Sequence, residues 1–384
     1  MVEKQKKGIK PNDIPKTITI KQKKVIFIAD IHIGVRSSSE EWQENIKNYF
    51  YEWFIPYLKK ITSDNNDYFL AVLGDVYDDR KSIDINVNNL AIDIFEDLGE
   101  ILPVYVINGN HDLSKKTNKG NTSLRSLSNI PGITIIKEPT LLKIKPENKV
   151  ISNIIAIPYL GDHEEENNVL LKFSGKTDYA FMHTDISQFS FDNGMTIVGA
   201  VDSDVYKGRI FSGHIHKRQE MKNVIYVGSP YHLRRSDMDN VKGVYTLDFT
   251  KKDHNISFKE NHFSPIFHKI KIVDFLNMGI EERSAFLNNN YNDIIVDEKE
   301  LRKYKMSNVY DLANLTTAKR VMIVVNKTKH DMSVDEERDY KELSIEELIN
   351  DSIDQLDVDN DTKERLKNIS SVYLKSAEAE QLEN

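Results

Sequence analysis

Five short stretches carry side chains able to act together: Asp30-Ile31-His32, Gly74-Asp75, Gly109-Asn110-His111-Asp112, the lone His183 in Phe181-Met182-His183-Thr184-Asp185, and Gly213-His214-Ile215-His216. Their donors are carboxylates, one amide and imidazoles. The chain has no cysteine, so no thiolate can join them. Such a set suits hard-to-borderline divalent ions such as manganese, iron or zinc. Two such ions about 3.5–4 Å apart can clamp the attacking and leaving oxygens of an in-line phosphoryl displacement. The pair needs a bridging carboxylate, further ligands on each side, and a proton donor that is not itself a ligand. Asp75 is the expected bridge, with Asp30, His32 and His216 completing one position and Asn110, His183 and His214 the other. His111, beside Asn110, is then free to protonate a leaving alkoxide, and Asp112 is the expected partner that holds its tautomer.

These stretches need elements that place them at one edge. Each follows an apolar, β-rich run, at residues 25–29, 69–73, 104–107, 179–182 and 209–211. Ligands of an open α/β sheet bind beyond the carboxyl ends of its strands. Residues 17–20 and 25–29 read as a strand pair feeding the first stretch. Trp42, Ile46, Tyr49, Phe50, Trp53 and Tyr57 recur at helical spacing, and Pro56 should kink or end that helix. Val87, Leu90, Ala91, Ile94, Phe95 and Leu98 mark a second helix. The alternation predicts a layered α/β body. Runs 224–226 and 244–249 look like closing strands. Residues 266–327 form a small unit of α+β type.

Length and composition bound the rest. A chain of 384 residues allows a main domain and one or two smaller ones. Residues 331–384 carry 17 acidic and 6 basic side chains, so the net charge of −8 leaves +3 for residues 1–330. A mildly basic body neither demands nor forbids a polyanionic substrate. Absence of cysteine fits a reducing compartment. The basic N-terminus has no apolar stretch behind it, and no apolar run approaches the roughly 20 residues of a membrane span. A cytoplasmic protein is expected. In the tail, Ser344 and Glu347 form a capping box. Ile345, Leu348, Ile349, Ile353 and Leu356 then mark one helical face, and Leu366, Ile369 and Tyr373 another. Histidines 163, 232, 254, 262, 268 and 330 lie outside the motifs and read as surface or packing groups.

As a set, Asp-x-His, Gly-Asp-x-x-Asp, Gly-Asn-His-Asp, a lone His and Gly-His-x-His resemble the calcineurin-like metallophosphoesterase superfamily. With Tyr226-Val227-Gly228-Ser229-Pro230 downstream, they resemble more narrowly the SbcD-type DNA double-strand-break repair nucleases, which include recombination endonuclease subunits of large bacteriophages. The resemblance spans residues 30–230. It implies a layered β-sandwich core flanked by helices, a small capping domain and a C-terminal helical tail. The implied division is a lead-in at 1–15, a nuclease domain at 16–260, a DNA-binding cap at 261–330 and an acidic tail at 331–384. It further implies a two-manganese nuclease cutting double-strand ends and single strands, with tail helices binding an SbcC-type SMC-like ATPase. A homodimer is expected, with the 42–57 helix as candidate contact. Arg234 and Arg235 are candidate DNA contacts. Asp78 stands where some family members carry a histidine that touches phosphate. Two other functions fit the sequence: a nucleotide or small-molecule phosphodiesterase, and a catalytically silent adaptor for the ATPase. A scaffold, however, needs no seven-ligand cage.

Overall fold

The computed structural model describes residues 15–64, 66–114, 121–251, 255–298, 303–304 and 307–326, with 353, 363–365, 367 and 370 in the tail. The chain divides into two units, 1–326 and 327–384. In the first, the strands are β1 Lys16–Ile20, β2 Lys24–Ile28, β3 Tyr68–Val72, β4 Val104–Ile107, β5 Ile133–Ile136, β6 Thr140–Ile144, β7 Ser152–Ile157 and β8 Tyr179–His183. They continue as β9 Arg209–Gly213, β10 Gln219–Met221, β11 Val224–Tyr226, β12 Gly243–Asp248, β13 Asn255–Glu260, β14 Phe267–Lys271, β15 Tyr291–Asp297 and β16 Arg320–Asn326.

Two sheets face each other. One runs β1-β6-β7-β8-β9-β11-β10, the other β13-β12-β2-β3-β4-β5. The alternation along β2 explains why. Val25 and Phe27 point between the sheets, where Phe27 stacks on Phe211 at 4.3 Å and meets Phe181 edge-on at 4.9 Å. Ile26 and Ile28 point the other way, into a second core beneath the helices. A strand buried on both faces reads as a continuous apolar run. The helix His163–Phe173 covers the outer face of the seven-stranded sheet. This is the layered α/β architecture expected.

Local departures have physical causes. Strands β1 and β2 do not pair. β1 lies parallel to β6 in one sheet and β2 sits between β12 and β3 in the other. The three residues between them step across the sandwich, and Ile20, Val25 and Phe27 then share the inter-sheet core. Pro56 does not end its helix. An α-helix Glu40–Asn48 passes through a π-helical turn Tyr49–Phe54 into a helix Ile55–Thr62. The Ile55 N–H reaches back to the Phe50 carbonyl, and this wider turn accommodates the proline ring. Trp42, Tyr49, Phe50 and Phe54 are buried in the core, so most of the aromatic stripe considered for a dimer contact is used internally.

The third sheet, β14-β15-β16, is parallel throughout. Strands and helices Ile272–Asn277, Ile280–Leu287 and Ser307–Asn314 bury Ile272, Phe275, Leu287, Ile294, Val296 and Val309 together. All-parallel pairing makes this a small α/β layer where an α+β one was expected. It docks through aromatic stacking: Trp42 lies 6.1 Å from Phe267 and 5.4 Å from Tyr291. The Tyr291 hydroxyl donates to Glu41 at 2.7 Å and accepts from Asn45 at 3.0 Å.

In the second unit the described residues are helical, and Ile353 is buried. Ile345, Leu348, Ile349, Leu356, Leu366, Ile369 and Tyr373 lie outside the described residues, as do His254 and His330. Among the described residues no helix is long and apolar enough to cross a membrane.

Candidate metal centre

The five stretches meet where β2, β3 and β4 of one sheet and β8 and β9 of the other end. Their loops are laced together by the backbone. The Asp30 N–H donates to the Gly74 carbonyl at 3.1 Å, His32 N–H to the Asp75 carbonyl at 3.0 Å, and His214 N–H to Asp30 Oδ1 at 2.9 Å. Asp30, His32, Asp75 and His214 take φ angles of 53°, 51°, 54° and 93°. Left-handed backbone costs about 1–3 kcal/mol at each non-glycine position and persists only where the surroundings enforce it. Gly74, itself at φ 85°, has no room for a side chain: a Cβ there would collide with the His183 ring.

Two donor groups share Asp75. In the first, His32 Nε2 lies 3.0 Å from His216 Nε2 and 3.7 Å from Asp75 Oδ2. Asp30 joins these two histidines in a cluster of metal-ligand type. In the second, Asn110 Oδ1 lies 2.9 Å from both His183 Nε2 and His214 Nδ1, and His183 Nε2 stands 3.3 Å from Asp75 Oδ2. The Leu73 carbonyl can only accept, so His183 Nδ1 carries a proton there, at 2.7 Å, and Nε2 is turned inward as the free donor.

The donor chemistry fits divalent cations. Asp30 Oδ2 is buried with no hydrogen-bond partner, an expensive arrangement unless an ion faces it. The Asn110 oxygen faces acceptors. Turning the amide over would let its nitrogen donate to Asp75 Oδ2 at 3.1 Å and to both histidines, whereas a cation requires the oxygen inward. Burial, with Asp75 alongside, pushes the Asp30 carboxyl up to about 6 despite His183. Burial opposes charge on His183 as well, but Asp75, Asp30 and the Leu73 carbonyl outweigh it and hold the imidazole at about 9. Burial also opposes ionisation of Asp75, yet His183, His32 and His111 keep its carboxyl well below the usual range. Negative charge is thus concentrated on the shared residue.

His111 lies beside this pair. Its N–H donates to Asp75 Oδ1 at 2.8 Å, and its ring Nδ1 donates to the Asp78 carbonyl at 2.5 Å. Nε2 is therefore the nitrogen left to handle a proton. Burial lowers the His111 pKa more than Asp75 raises it. Asp112 does not hold this ring. Its carboxylate accepts N–H groups from Asp75, Val76, Tyr77 and Gly109 at 2.8–3.3 Å, clamping two ligand loops together. The tautomer is set by a backbone carbonyl, which no side-chain pattern announces. Asp78, in turn, places Oδ1 2.8 Å from His32 Nδ1.

Arg235 is turned away from the centre. Its Nε binds Asp293 Oδ2 in the middle strand of the third sheet, at 2.5 Å. Arg234 is exposed and close enough to depress His216, after burial and His32. Several supporting residues escaped the sequence pattern. Asp185 lies 3.1 Å from His214 Nε2, and Asp192 lies 3.4 Å from His216 Nδ1. Lys242, buried, donates to the His216 carbonyl and to Asp237, each at 2.6 Å. A carboxylate two residues after His183 was a usable signal; a lysine 26 residues beyond His216 was not. Of the remaining histidines, His163 and His268 bind Glu166 and Asn292, His232 is buried, and His262 is exposed.

The calcineurin-like phosphoesterase family profile matches residues 23–218, and the six donor residues from Asp30 to His216 other than Asn110 all fall inside it, as does Asn110. Exonuclease subunit 1 of Enterobacteria phage T4 is 24% identical over 370 residues, spanning 92% of this chain and 100% of its own length. Protein 078R of invertebrate iridescent virus 3, which carries a phosphoesterase name, is 24% identical over 218 residues, 54% of this chain and 57% of its own. Among solved structures, the calcineurin-like phosphoesterase YfkN from Bacillus subtilis is 14% identical. It covers 62% of this chain and 88% of that one, with a TM-score of 0.34.

Proposed function

This chain belongs to the calcineurin-like phosphoesterase family, and on that premise we propose that it is a DNA nuclease dependent on two divalent ions, with manganese as the activating metal. Its substrates are double-strand ends, cut exonucleolytically, and single strands, cut endonucleolytically. Its partner is an SbcC-type SMC-like ATPase engaged by the tail, and the active form is a homodimer. The observation that carries the proposal is the position of Asp75 Oδ2, 3.7 Å from one donor group at His32 and 3.3 Å from the other at His183. The likeness to a phage exonuclease subunit along 92% of the chain supports a nucleic-acid substrate. We read the docked third sheet, which lies outside the matched family region, as the cap of such a nuclease.

Asp30, His32 and His216 would hold one ion, Asn110, His183 and His214 the other, with Asp75 between. When bound, such ions acidify a water and offset the charge that builds on the phosphoryl oxygens. The chain's own groups do the rest. His111 Nε2 delivers a proton to the leaving oxygen while the Asp78 carbonyl keeps Nδ1 protonated. Because burial depresses this imidazole, its protonated form is a stronger acid. Arg80 and Lys81 line a cleft of about 210 Å³ beside His111, positioned for the phosphate backbone. Arg234 flanks the other side, whereas Arg235 is committed to Asp293.

An end-labelled duplex incubated with manganese, magnesium or chelator, with and without the ATPase, tests this. Manganese-dependent release of end nucleotides is expected. Turnover of an aryl phosphodiester with none on duplex or single-stranded DNA would instead mark a small-molecule phosphodiesterase.

A further inference from the structure

The residues after Pro230 touch the metal centre on one side and the third sheet on the other. The Tyr231 hydroxyl donates at 2.6 Å to the carbonyl of Ile31, the residue between Asp30 and His32. Lys242 Nζ reaches the His216 carbonyl at 2.6 Å. So the backbone between Asp30 and His32, and that of His216, are each held from this one segment. Asp237 joins its two ends: it pairs with Lys242 and accepts the Leu233 and Arg234 N–H groups at 2.8 and 2.9 Å. On the far side, His232 Nδ1 accepts the Phe267 N–H at 3.1 Å, and Arg235 holds Asp293. A buried lysine–aspartate pair is a poor way to add stability, since desolvating both ions offsets their attraction. Its geometry is better explained by what it aims at.

We propose that residues 229–242 form a strap that sets the first cation position and ties it to the third sheet, with Tyr231 and Lys242 as positioning residues. Among the described residues the strap makes no such hydrogen bond to the second donor group: His183 is oriented by the Leu73 carbonyl and His214 by Asp185, and the neighbouring Thr184 carbonyl is held by Tyr226 of β11. The strap therefore makes the two positions unequal. Site-supporting partners one step removed from the metal alter affinity by about 10–100-fold when removed, and that is the size of effect expected at one position only. The inference rests on the two-cation reading of the site.

Manganese titration followed by electron paramagnetic resonance tests it on the full chain. Wild type should bind two ions and give the exchange-coupled spectrum of a close pair. Tyr231→Phe keeps the ring against Tyr49 and removes only the hydroxyl. It should weaken one ion at least tenfold, so that the uncoupled six-line spectrum of a single ion persists when two equivalents of manganese are present. Lys242→Met with Asp237→Asn should do the same without leaving a buried charge unpaired. Circular dichroism melts would establish that both variants fold. Two ions bound as in wild type would overturn the strap, as would equal weakening of both. Fewer than two ions on wild type itself would overturn the two-cation reading beneath it.

Discussion

The two donor groups around Asp75 are built differently. Asp30, His32 and His216 are held from outside the sandwich, by Tyr231, Lys242 and the carboxylates of Asp78 and Asp192. Asn110, His183 and His214 are held from within it. His183 is the last residue of β8 and is anchored on the carbonyl that follows β3, while Asp185 braces His214. On the proposed reading, the second position is fixed by strand ends and the first depends on the strap that supports it.

The largest effect should come from the residue the two groups share. Asp75→Asn removes the bridging charge from both at once, and cleavage should fall to background with neither ion retained in stoichiometric metal analysis. Retention of two ions would mean that the groups are independent. Next is His111→Gln, which keeps the backbone N–H bond to Asp75 and changes only the ring beside His32. Both ions should stay while cleavage falls by about 10²–10⁴-fold, the usual contribution of a general acid. Full activity would remove His111 from the mechanism.

Asp185→Asn is the counterpart of the strap variants. It should weaken the second ion by about 10–100-fold and leave the first unchanged, as read by isothermal titration. Loss of both would merge the groups into one cooperative cage. Acidity gives a smaller, graded effect. In the cation-free protein His183 holds its proton up to about pH 9, and ligation needs it neutral. One proton must then be displaced, so manganese affinity should rise about tenfold per pH unit and level off near pH 9. Below about pH 6, where Asp30 also protonates, the slope should steepen. A flat profile would show that His183 is not a ligand. Smallest in chemistry, Asp112→Ala removes the clamp between two ligand loops. Unpairing buried N–H groups costs about 1–3 kcal/mol each, so the melting temperature should drop while the pH profile of residual activity keeps its shape.

Much of the site was legible because each donor stretch follows an apolar run, and parallel strands deliver their carboxyl ends to one edge. His183 and His214 lie at the ends of the adjacent parallel strands β8 and β9. What was not legible depends on contacts that carry no periodic signal. The short link after Ile20 looks like a hairpin turn, and only the filling of the inter-sheet core by Ile20, Val25 and Phe27 sends β1 and β2 to different sheets. Pro56 reads as a helix breaker because a π-turn one step earlier leaves no mark in sequence. Asp112 reads as the partner of the ring next to it, yet its carboxylate serves backbone N–H groups across two loops. Arg235 reads as a candidate DNA contact, yet its guanidinium is held by Asp293, 58 residues away.

Crystals soaked in manganese and measured at its absorption edge would locate the ions themselves. Two anomalous peaks about 3.5–4 Å apart are expected, one on each side of the Asp75 carboxylate, with the Asn110 oxygen turned toward the second. A single peak, or peaks away from Asp75, would contradict the two-cation reading.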